Sequence, residues 1–278
     1  MGLWLYDALR HHPCRFRHAA TPDQIFRRGL RHDCPAGNRA GCQERLTWLR
    51  KGVAATVLIT GAGRGLGHEL AVQYAHHGWR VIASGRTHPA QGCAGRIEFQ
   101  PLDVADPASI CDLATRLAGR PVDVLVNNAA IRSEIPGLHS FAPDEFLKVV
   151  RTNTLGPLLL ARALRPNLVA GRMRVIANIG SRAGSMAEGL LDDYDDDYAY
   201  RCSKSALNMV CAQLAQDLRV DGITVLSLHP GWVKTDMGGD QAILAVEDSA
   251  RGLRTIIDSA TPGDSGSFQT FDGVPIGW

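Results

Sequence analysis

The sequence predicts an α/β protein built on a doubly wound parallel β-sheet. From residue 53 onward, short β-branched runs alternate with segments of helical periodicity, and strands separated by helices form parallel sheets through right-handed crossovers. No proline-, glycine- and serine-rich linker divides this stretch, and it contains no internal repeat. We therefore expect one domain over residues 53–278, with ligands beyond the carboxyl ends of its strands.

The predicted strands share short runs of β-branched and apolar residues, and the predicted helices share apolar residues at helical spacing. The strands are expected at 55–60, 79–84, within 96–104, and at 122–127, 173–180, 223–230 and 267–271. The helices are expected at 65–77, 107–117, 144–150, 152–168, around Tyr200 up to residue 219, and at 246–259.

Residues 1–52 do not share this alternation. They hold ten Arg or Lys, four Asp or Glu, four His and three Cys, without sustained periodicity. The four acids and the lack of serine argue against a mitochondrial-type targeting peptide, and the irregular His and Cys spacing argues against a metal site. We expect a basic, poorly ordered N-terminal extension, and we assign it no function.

The composition excludes several classes of protein. In the 278-residue chain, 45% of residues are hydrophobic and 21% are charged, which is an ordinary globular balance. Residues 53–278 hold twenty basic and twenty-four acidic residues, which argues against nucleic acid as a partner. No apolar run approaches the roughly 20 residues of a membrane span. Seven cysteines without a CxxC pair indicate neither disulfides nor zinc and favour a reducing cytoplasm.

Tyr200 and Lys204 lie four residues apart in a predicted helix, so both side chains project from one face. A nearby cation favours the ionised phenol and lowers the tyrosine pKa from its usual value of about 10. Tyr200 is therefore a candidate general acid near neutral pH. A lone Tyr-x-x-x-Lys is more often an ordinary surface pair, so this interpretation depends on the segments that the helix faces. Tyr194 and Tyr198 have no lysine four residues later.

The first strand ends in the glycine-rich turn TGAGRGLG, residues 60–67. Glycines let a backbone approach a pyrophosphate, and the helix that follows offers N–H groups and a positive dipole end. A position between a first strand and a helix is the context of a dinucleotide site, although the spacing departs from G-x-G-x-x-G and a tight connection is the alternative. The candidate cofactor-binding residues here are Gly61, Arg64, Gly65, Leu66 and Gly67.

The second strand ends at Arg86, where an NAD enzyme would usually carry an acidic residue for the ribose 2′-hydroxyl. No Asp or Glu occurs there, and Arg86 and Arg64 are both available. Two guanidinium groups suit a 2′-phosphate, so the sequence favours NADP(H) over NAD(H). The alternative is that Arg86 is a solvated loop residue.

Two further strands end in candidate cofactor-binding residues. Asp103 and Val104 end the third strand; the Asp103 carboxylate could accept a hydrogen bond from an adenine amino group or could cap the helix opened by Asp106. The segment NNAA, which contains Asn127, Asn128 and Ala129, ends the fourth strand; its small residues would let the cofactor lie flat and its amides could bond both backbone and ligand. The alternative is that NNAA is only a turn.

The later segments supply polar groups at the same sheet edge. Ser181 ends the fifth strand, where its hydroxyl could bond a substrate carbonyl or cap a turn. Asn153 lies among apolar neighbours, where a polar side chain is costly unless it is hydrogen-bonded. The loop after the sixth strand contains Val233 and Thr235, and its amides could hold a nicotinamide carboxamide.

These segments, in this order, resemble the short-chain dehydrogenase/reductase family. The resemblance rests on TGAGRGLG, LDV, NNAA, Asn153, Ser181, the Tyr200/Lys204 pair and PGWVKTDM, and it covers about residues 53–278. The stretches NTLGPLLLARAL, YAYRCSKSALNM, LHPGWVKTDMGG and SFQTFDGVPIGW are similar to the C-factor and sniffer-like carbonyl reductases. The family implies a Rossmann fold, NADPH as cofactor, a small-molecule carbonyl substrate and a homodimer or homotetramer.

The resemblance also implies a catalytic tetrad of Asn153, Ser181, Tyr200 and Lys204. In that role Tyr200 donates the proton, Ser181 polarises the carbonyl oxygen, Lys204 bonds the nicotinamide ribose, and Asn153 holds a water relay. Eighteen residues separate Ser181 from Tyr200, more than the family's usual spacing. The added residues include five acids within 191–197, which are expected to form a solvated loop or a lid that disfavours anionic substrates.

We therefore expect an NADPH-dependent enzyme that reduces a ketone, aldehyde or quinone to an alcohol. A non-catalytic NADP(H)-responsive regulator on the same fold is the alternative from another class, and an NAD-dependent alcohol or sugar dehydrogenase is a second enzymatic alternative. The substrate stays open, because the loops near 132–141, 183–198 and 234–247 shape the pocket and loops are the least predictable parts of a fold.

Overall fold

The computed structural model of the chain describes residues 54–87, 96–134, 137–140, 142–190 and 197–278. These residues all belong to one compact unit, Thr47–Trp278. The predicted N-terminal extension, residues 1–52, lies outside the described residues, as do residues 191–196 of the acidic run.

A seven-stranded parallel sheet forms the centre of the described unit, with strand order β3-β2-β1-β4-β5-β6-β7. The strands are β1 (Thr56–Thr60), β2 (Arg80–Gly85), β3 (Ile97–Pro101), β4 (Val124–Asn127), β5 (Val175–Ile179), β6 (Thr224–His229) and β7 (Ser267–Thr270). The predicted doubly wound parallel fold is confirmed. The strand order reverses between β1 and β4, and ligands of such sheets bind in the crevice at this point.

Seven helices of the described ranges cover the two faces of the sheet. They are α1 (Gly65–His76), α2 (Pro107–Arg116), α3 (Pro143–Val150), α4 (Gly156–Ala163), α5 (Arg165–Ala170), α6 (Tyr198–Asp217) and α7 (Val246–Ser259). Alternate strand residues point to opposite faces: Val57 and Ile59 of β1 pack in one core with α1 and α7, and Leu58 packs in the other with α2, α4 and α6. Burial on both faces explains why the central strands β1, β4 and β5 are largely apolar.

The predicted helix 152–168 is wrong as a single element. The chain forms a π-helical turn at Arg151–Leu155, then α4, then α5. Pro157 and Pro166 explain the breaks, because proline lacks the N–H that an α-helix donates to the carbonyl four residues earlier. For Pro157 that carbonyl belongs to Asn153. The turn therefore changes the backbone around one of the predicted site residues.

Gly156 begins α4 at a close approach to the loop after β3. A Cβ atom at this position would lie 2.6 Å from the Val104 carbonyl oxygen, so only glycine lets α4 pack against that loop. Within the ranges that the structure describes, no helix is both long and apolar enough to cross a membrane.

Candidate active site

The glycine-rich turn between β1 and α1 depends on backbone conformations that favour glycine. Gly61 and Gly65 have φ angles of +65° and +54°, in the left-handed region that side chains disfavour. A Cβ atom on Gly67 would lie 2.4 Å from Asn128 Nδ2 and 2.5 Å from the Gly61 carbonyl oxygen. The turn is therefore held tightly against the end of β4.

Asn128 and Thr60 make this attachment. Asn128 Nδ2 donates to the carbonyl oxygens of Thr60 at 3.0 Å and Gly61 at 3.3 Å. Thr60 Oγ1 accepts the backbone N–H groups of Asn128 and Ala129, each at 3.0 Å. The sequence predicted that the amides of the NNAA segment bond backbone, and Asn128 does so; the adjacency of β1 and β4 at the crevice identifies Thr60 and Gly61 as its partners.

The N-terminus of α1 is suited to an anion. Its N-cap residue, Arg64, makes no side-chain capping hydrogen bond, and no acidic residue occupies the first turn. The N–H groups of the first turn and the positive end of the helix dipole therefore face the glycine turn without a carboxylate partner. Leu66 is buried beneath them. These residues fit the pyrophosphate of a dinucleotide.

Arg64 and Arg86 both carry exposed side chains beside this turn. The turn is attached to the end of β2, since the Ala62 N–H donates to the Ser84 carbonyl oxygen at 3.1 Å. Arg64 forms an ion pair with Asp236 of the loop after β6, and their side chains are 82% and 76% exposed. Both guanidinium groups are therefore accessible to a ligand, although Arg64 already has a carboxylate partner.

The two aspartates that follow β3 accept different hydrogen bonds. Asp103 Oδ1 accepts the N–H of Ala105 at 2.9 Å, whereas Asp106 Oδ1 accepts the N–H of Ala108 at 2.9 Å and caps α2. The suggestion that Asp103 caps this helix is wrong, because Asp106 occupies the N-cap position. Val104 is buried.

Asn127 and Ala129 lie at the carboxyl end of β4. Asn127 Nδ2 donates to Asn178 Oδ1 of β5 at 2.8 Å, and within the described part of the chain the buried Asn127 Oδ1 has no hydrogen-bond partner. The Asn127 amide therefore links two strands at the edge of the crevice, while Ala129 keeps its small side chain beside the glycine turn.

Ser181 follows β5 at the same edge and is buried. Its Oγ accepts the N–H of Ala183 at 3.2 Å and caps the short 3₁₀ turn Arg182–Gly184. A serine hydroxyl that accepts one hydrogen bond still has its own O–H to donate. Ser181 can therefore both cap the turn and donate to an oxygen in the crevice.

Lys204 is only 2% exposed and joins α6 to the end of β5. Its Nζ donates to the Ile179 carbonyl oxygen at 2.8 Å, two residues before Ser181. The Nζ atom lies 5.6 Å from the centroid of the Tyr200 ring. Burial lowers the pKa of Lys204 to about 8, because a low-dielectric environment disfavours the charged form.

Asn153 lies in the π-helical turn with its amide fully engaged, as a buried polar group requires. Its Oδ1 accepts the N–H of Ile131 at 2.9 Å, and its Nδ2 donates to the Ile131 carbonyl oxygen at 2.8 Å. The same Nδ2 donates to Ser203 Oγ, beside Lys204, at 2.9 Å. The Asn153 side chain thus connects the loop after β4 with α6.

His229, at the end of β6, is a titratable residue that sequence reasoning did not consider. The backbone N–H of Arg182 donates to His229 Nδ1 at 3.3 Å. Burial, with Arg182 nearby, lowers the pKa of His229 to about 4. The imidazole is therefore neutral near pH 7, with its proton on Nε2, and it does not supply a second cation beside Ser181.

Asp197 is the residue of the acidic run that the structure describes, and the expectation of a solvated loop is wrong for it. It is 2% exposed and caps α6, with Oδ1 accepting the Tyr200 N–H at 2.9 Å. Oδ2 accepts the N–H of Ser133 at 3.0 Å and lies 3.5 Å from Arg132 Nε. An aspartate three residues before Tyr200 at a helix start is an N-cap signature, which could have identified it.

Arg132 extends from the loop after β4 to the ring of Tyr200. Its Cζ atom lies 5.0 Å from the ring centroid, within the range of a cation–π contact. Two cationic side chains, Arg132 and Lys204, therefore adjoin the ring from different segments. Sequence reasoning missed Arg132, because nothing in the pattern of the loop indicates this contact.

The loop after β6 extends toward the glycine turn. Val233 is buried and forms a β-bridge with Leu244. The methyl group of Thr235 lies 3.3 Å from where a Cβ of Gly65 would be. The structure therefore places Thr235 beside the glycine turn, whereas Val233 packs against Leu244. Around the N-terminal half of α6, Asn153 bonds Ser203, Lys204 bonds the end of β5 two residues before Ser181, and the Tyr200 ring lies beside Lys204.

The family model for short chain dehydrogenases matches residues 55–243. The chain belongs to this family. Among curated relatives, the C-signal protein of Myxococcus xanthus is 40% identical over 165 residues, which are 59% of this chain and 98% of that protein.

Two solved structures of this family share the fold. The NADPH-bound carbonyl reductase from chicken fatty liver has a TM-score of 0.75 and 33% identity, covering 81% of this chain and 99% of that one. The carbonyl reductase Sniffer of D. melanogaster has a TM-score of 0.73 and 30% identity, covering 81% of this chain and all of that one. The predicted resemblance to C-factor and sniffer-like carbonyl reductases is confirmed.

Proposed function

We propose that this chain is an NADPH-dependent carbonyl reductase, which converts a ketone, aldehyde or quinone to an alcohol with Tyr200 as the proton donor. The observation that carries the proposal is the arrangement around α6. Lys204 lies one helical turn from Tyr200, and its Nζ bonds the Ile179 carbonyl oxygen at 2.8 Å, two residues before Ser181. A phenol can donate a proton to a carbonyl oxygen as a general acid, and an ammonium and a serine hydroxyl can stabilise the negative charge that develops during the transfer.

The cofactor proposal rests on the crevice between β1 and β4. The glycine turn and the N-terminus of α1 suit the pyrophosphate, and the exposed Arg64 and Arg86 suit a 2′-phosphate. The chicken relative was solved with NADPH bound, which supports the same cofactor here. The residues proposed to hold it are Gly61, Arg64, Gly65, Leu66, Gly67, Arg86, Asp103, Val104, Asn127, Ala129, Tyr200, Lys204, Val233 and Thr235.

The chain's own residues divide the acid–base work, while NADPH supplies the hydride when it is bound. Tyr200 donates its phenolic proton to the carbonyl oxygen, and the Ser181 O–H bonds the same oxygen. Lys204, with a pKa of about 8, is mostly protonated at pH 7 and stabilises negative charge that develops on the phenol. Asn153 is proposed to hold the water that returns a proton, where Pro157 leaves its carbonyl without an α-helical donor.

Exposed apolar side chains around the crevice favour an uncharged, apolar carbonyl substrate. Leu138 follows β4, Met186 follows β5, and Trp232 and Ile243 follow β6; all four are exposed. Because β4, β5 and β6 are neighbours in a parallel sheet, the loops that follow them lie along one edge. Apolar groups presented there would contact an apolar substrate.

The substitution Tyr200→Phe tests the proton-donor role, because it removes the phenolic oxygen and keeps the ring. We expect turnover to fall by about 10²–10⁴-fold, the usual contribution of a general acid, with NADPH affinity retained. NADPH oxidation against a panel of quinones, aldehydes and ketones measures turnover, and fluorescence titration measures binding. Tyr198→Phe, at an exposed position of the same helix, is the matched control. Full activity of Tyr200→Phe would overturn the assignment.

The same panel separates the alternatives. Silence against every carbonyl, with tight NADPH binding retained, would favour the non-catalytic regulator. Alcohol or sugar oxidation that depends on NAD⁺ and not NADP⁺ would favour the oxidative dehydrogenase. A homodimer or homotetramer and a cytoplasmic location stay predictions, which analytical ultracentrifugation and cell fractionation would test.

A further inference from the structure

Asp197 joins two segments of the candidate site through one buried carboxylate. Its Oδ1 accepts the N–H of Tyr200 at 2.9 Å, and its Oδ2 accepts the N–H of Ser133 at 3.0 Å. The first bond caps α6, and the second fixes the loop after β4. An N-cap needs only one carboxylate oxygen, so helix capping does not account for the bonds that the second oxygen makes.

The second oxygen also holds a guanidinium. Arg132 Nε lies 3.5 Å from Asp197 Oδ2, and the side chains of Arg132 and Asp197 are 37% and 3% exposed. A buried carboxylate is costly without compensating bonds, so the backbone N–H groups and the guanidinium together allow this charge to be buried. Arg132 is correspondingly restricted in where its side chain can lie.

The restricted guanidinium lies on the Tyr200 ring, with Cζ 5.0 Å from the ring centroid. A planar guanidinium stacks on an aromatic face better than an ammonium does. The contact therefore limits rotation of the ring about its side-chain bonds. It also ties the ring to the loop that begins immediately after β4.

We propose that Arg132 and Asp197 are positioning residues for Tyr200: Asp197 holds the Arg132 guanidinium against the phenol ring, so that the loop after β4 fixes the orientation of the proton donor. This inference rests on the proposed role of Tyr200. Neither Arg132 nor Asp197 acts on the substrate in it. Because of this pair, the orientation of the Tyr200 ring depends on two segments, residues 131–134 and the start of α6.

Arg132→Met is the first test, because it keeps most of the side-chain length and removes the guanidinium. We expect kcat to fall about tenfold, the scale of a lost cation–π contact, with the Kd for NADPH unchanged. The melting temperature should fall, because the buried Asp197 carboxylate loses its guanidinium partner. Arg132→Lys should recover part of the loss, since an ammonium keeps the charge but not the planar stack. The matched control is Arg165→Met, which breaks the Arg165–Asp221 ion pair (2.7 Å) away from the site and should leave kcat unchanged.

Asp197→Asn is the second test, because asparagine still caps a helix but no longer attracts the guanidinium. The kcat of the double variant Arg132→Met/Asp197→Asn should fall no further than that of the more impaired single variant. The reason is that both substitutions remove the same contact, the guanidinium held by Asp197 against the Tyr200 ring. Additive losses, or wild-type kcat in a folded Arg132→Met, would overturn the proposal. If Asp197→Asn does not fold, Arg132→Met decides alone. Full activity of Tyr200→Phe would instead overturn the proton-donor role, so the two failures are distinguishable.

Discussion

The two sides of the candidate site differ in which atoms form them. On the side of β1 and α1, backbone conformation dominates: Gly61 and Gly65 have positive φ angles, and the neighbouring Arg64 and Arg86 are exposed. Around α6, buried side chains dominate, with Ser181 and Lys204 both at most 9% exposed. One side presents backbone N–H groups and exposed guanidinium groups, and the other holds buried hydroxyl and ammonium groups.

The two ion pairs of the site show the same contrast. Arg64 and Asp236 are 82% and 76% exposed, whereas Arg132 and Asp197 are 37% and 3% exposed. Solvent screens the first pair, so it can exchange partners at little cost. In the second pair, Asp197 is buried and accepts two backbone N–H groups, which hold its carboxylate in place. The exposed Arg64 can therefore change partners when a charged ligand binds. The proposed proton transfer, by contrast, depends on side chains that stay in one position.

The largest expected effect tests the backbone side. In Gly67→Ala, the new Cβ would meet Asn128 Nδ2 at 2.4 Å and the Gly61 carbonyl oxygen at 2.5 Å, so the turn must move. We expect the free energy of unfolding to fall by about 1–3 kcal/mol, as for overpacked sites, and NADPH affinity to fall at least about tenfold. Denaturant unfolding and fluorescence titration measure the two quantities.

Gly63→Ala is the matched control for this change. It lies in the same turn, but the nearest atom to its Cβ would be the Thr87 carbonyl oxygen at an ordinary 3.5 Å. Equal losses in Gly63→Ala and Gly67→Ala would show that the tight attachment of the turn to β4 is not what the site requires.

The next effect tests the side-chain side through pH. Burial lowers the pKa of Lys204 from 10.5 to about 8, so between these values the unfolded chain binds more protons than the folded chain. Stability should therefore rise with pH across this window in the wild type, but not through this residue in Lys204→Met. Across this window, the difference in free energy of unfolding between wild type and Lys204→Met should change by on the order of 3 kcal/mol.

Urea unfolding at a series of pH values measures this difference. Lys234→Met, at an exposed position, corrects for the loss of one positive charge. A constant difference between wild type and Lys204→Met from pH 7 to pH 10 would contradict the burial of a charged ammonium beside Tyr200.

The sequence was most informative where local pattern decides structure. Helix α7 begins and ends at the predicted residues, Val246–Ser259, because its strongly one-sided apolar pattern needs no tertiary information. The central strands β1, β4 and β5 were found because burial on both faces requires largely apolar runs. The break at Pro157 was missed because apolar periodicity continues through it, although proline itself signals the change.

The hydrogen bonds of the candidate site were harder to predict than the positions of its residues in the fold. Spacing identified Tyr200 and Lys204, yet Asn128 and Arg132 act through contacts between segments distant in sequence, such as Asn128 Nδ2 to the Thr60 carbonyl oxygen. Asp197 was obscured by the acids around it, because a charge run usually indicates solvent exposure. Only the packing of the loop after β4 against α6 shows that this one carboxylate is buried.

The smallest expected effect tests the exposed ion pair. Asp236 pairs with Arg64, so in the proposed cofactor site it would compete with the 2′-phosphate of NADPH for the same guanidinium. In Asp236→Asn we expect the melting temperature to stay unchanged and the Kd for NADPH to fall about twofold to fivefold, the scale of an exposed charge pair. Affinity for NADH, which has no 2′-phosphate, should not change, and added salt should remove the difference in NADPH affinity between the variant and the wild type.

Asp240→Asn, exposed in the same loop, is the control. Equal tightening of NADH and NADPH in Asp236→Asn would show that Arg64 does not bind the 2′-phosphate and that the exposed pair acts on some other part of the cofactor.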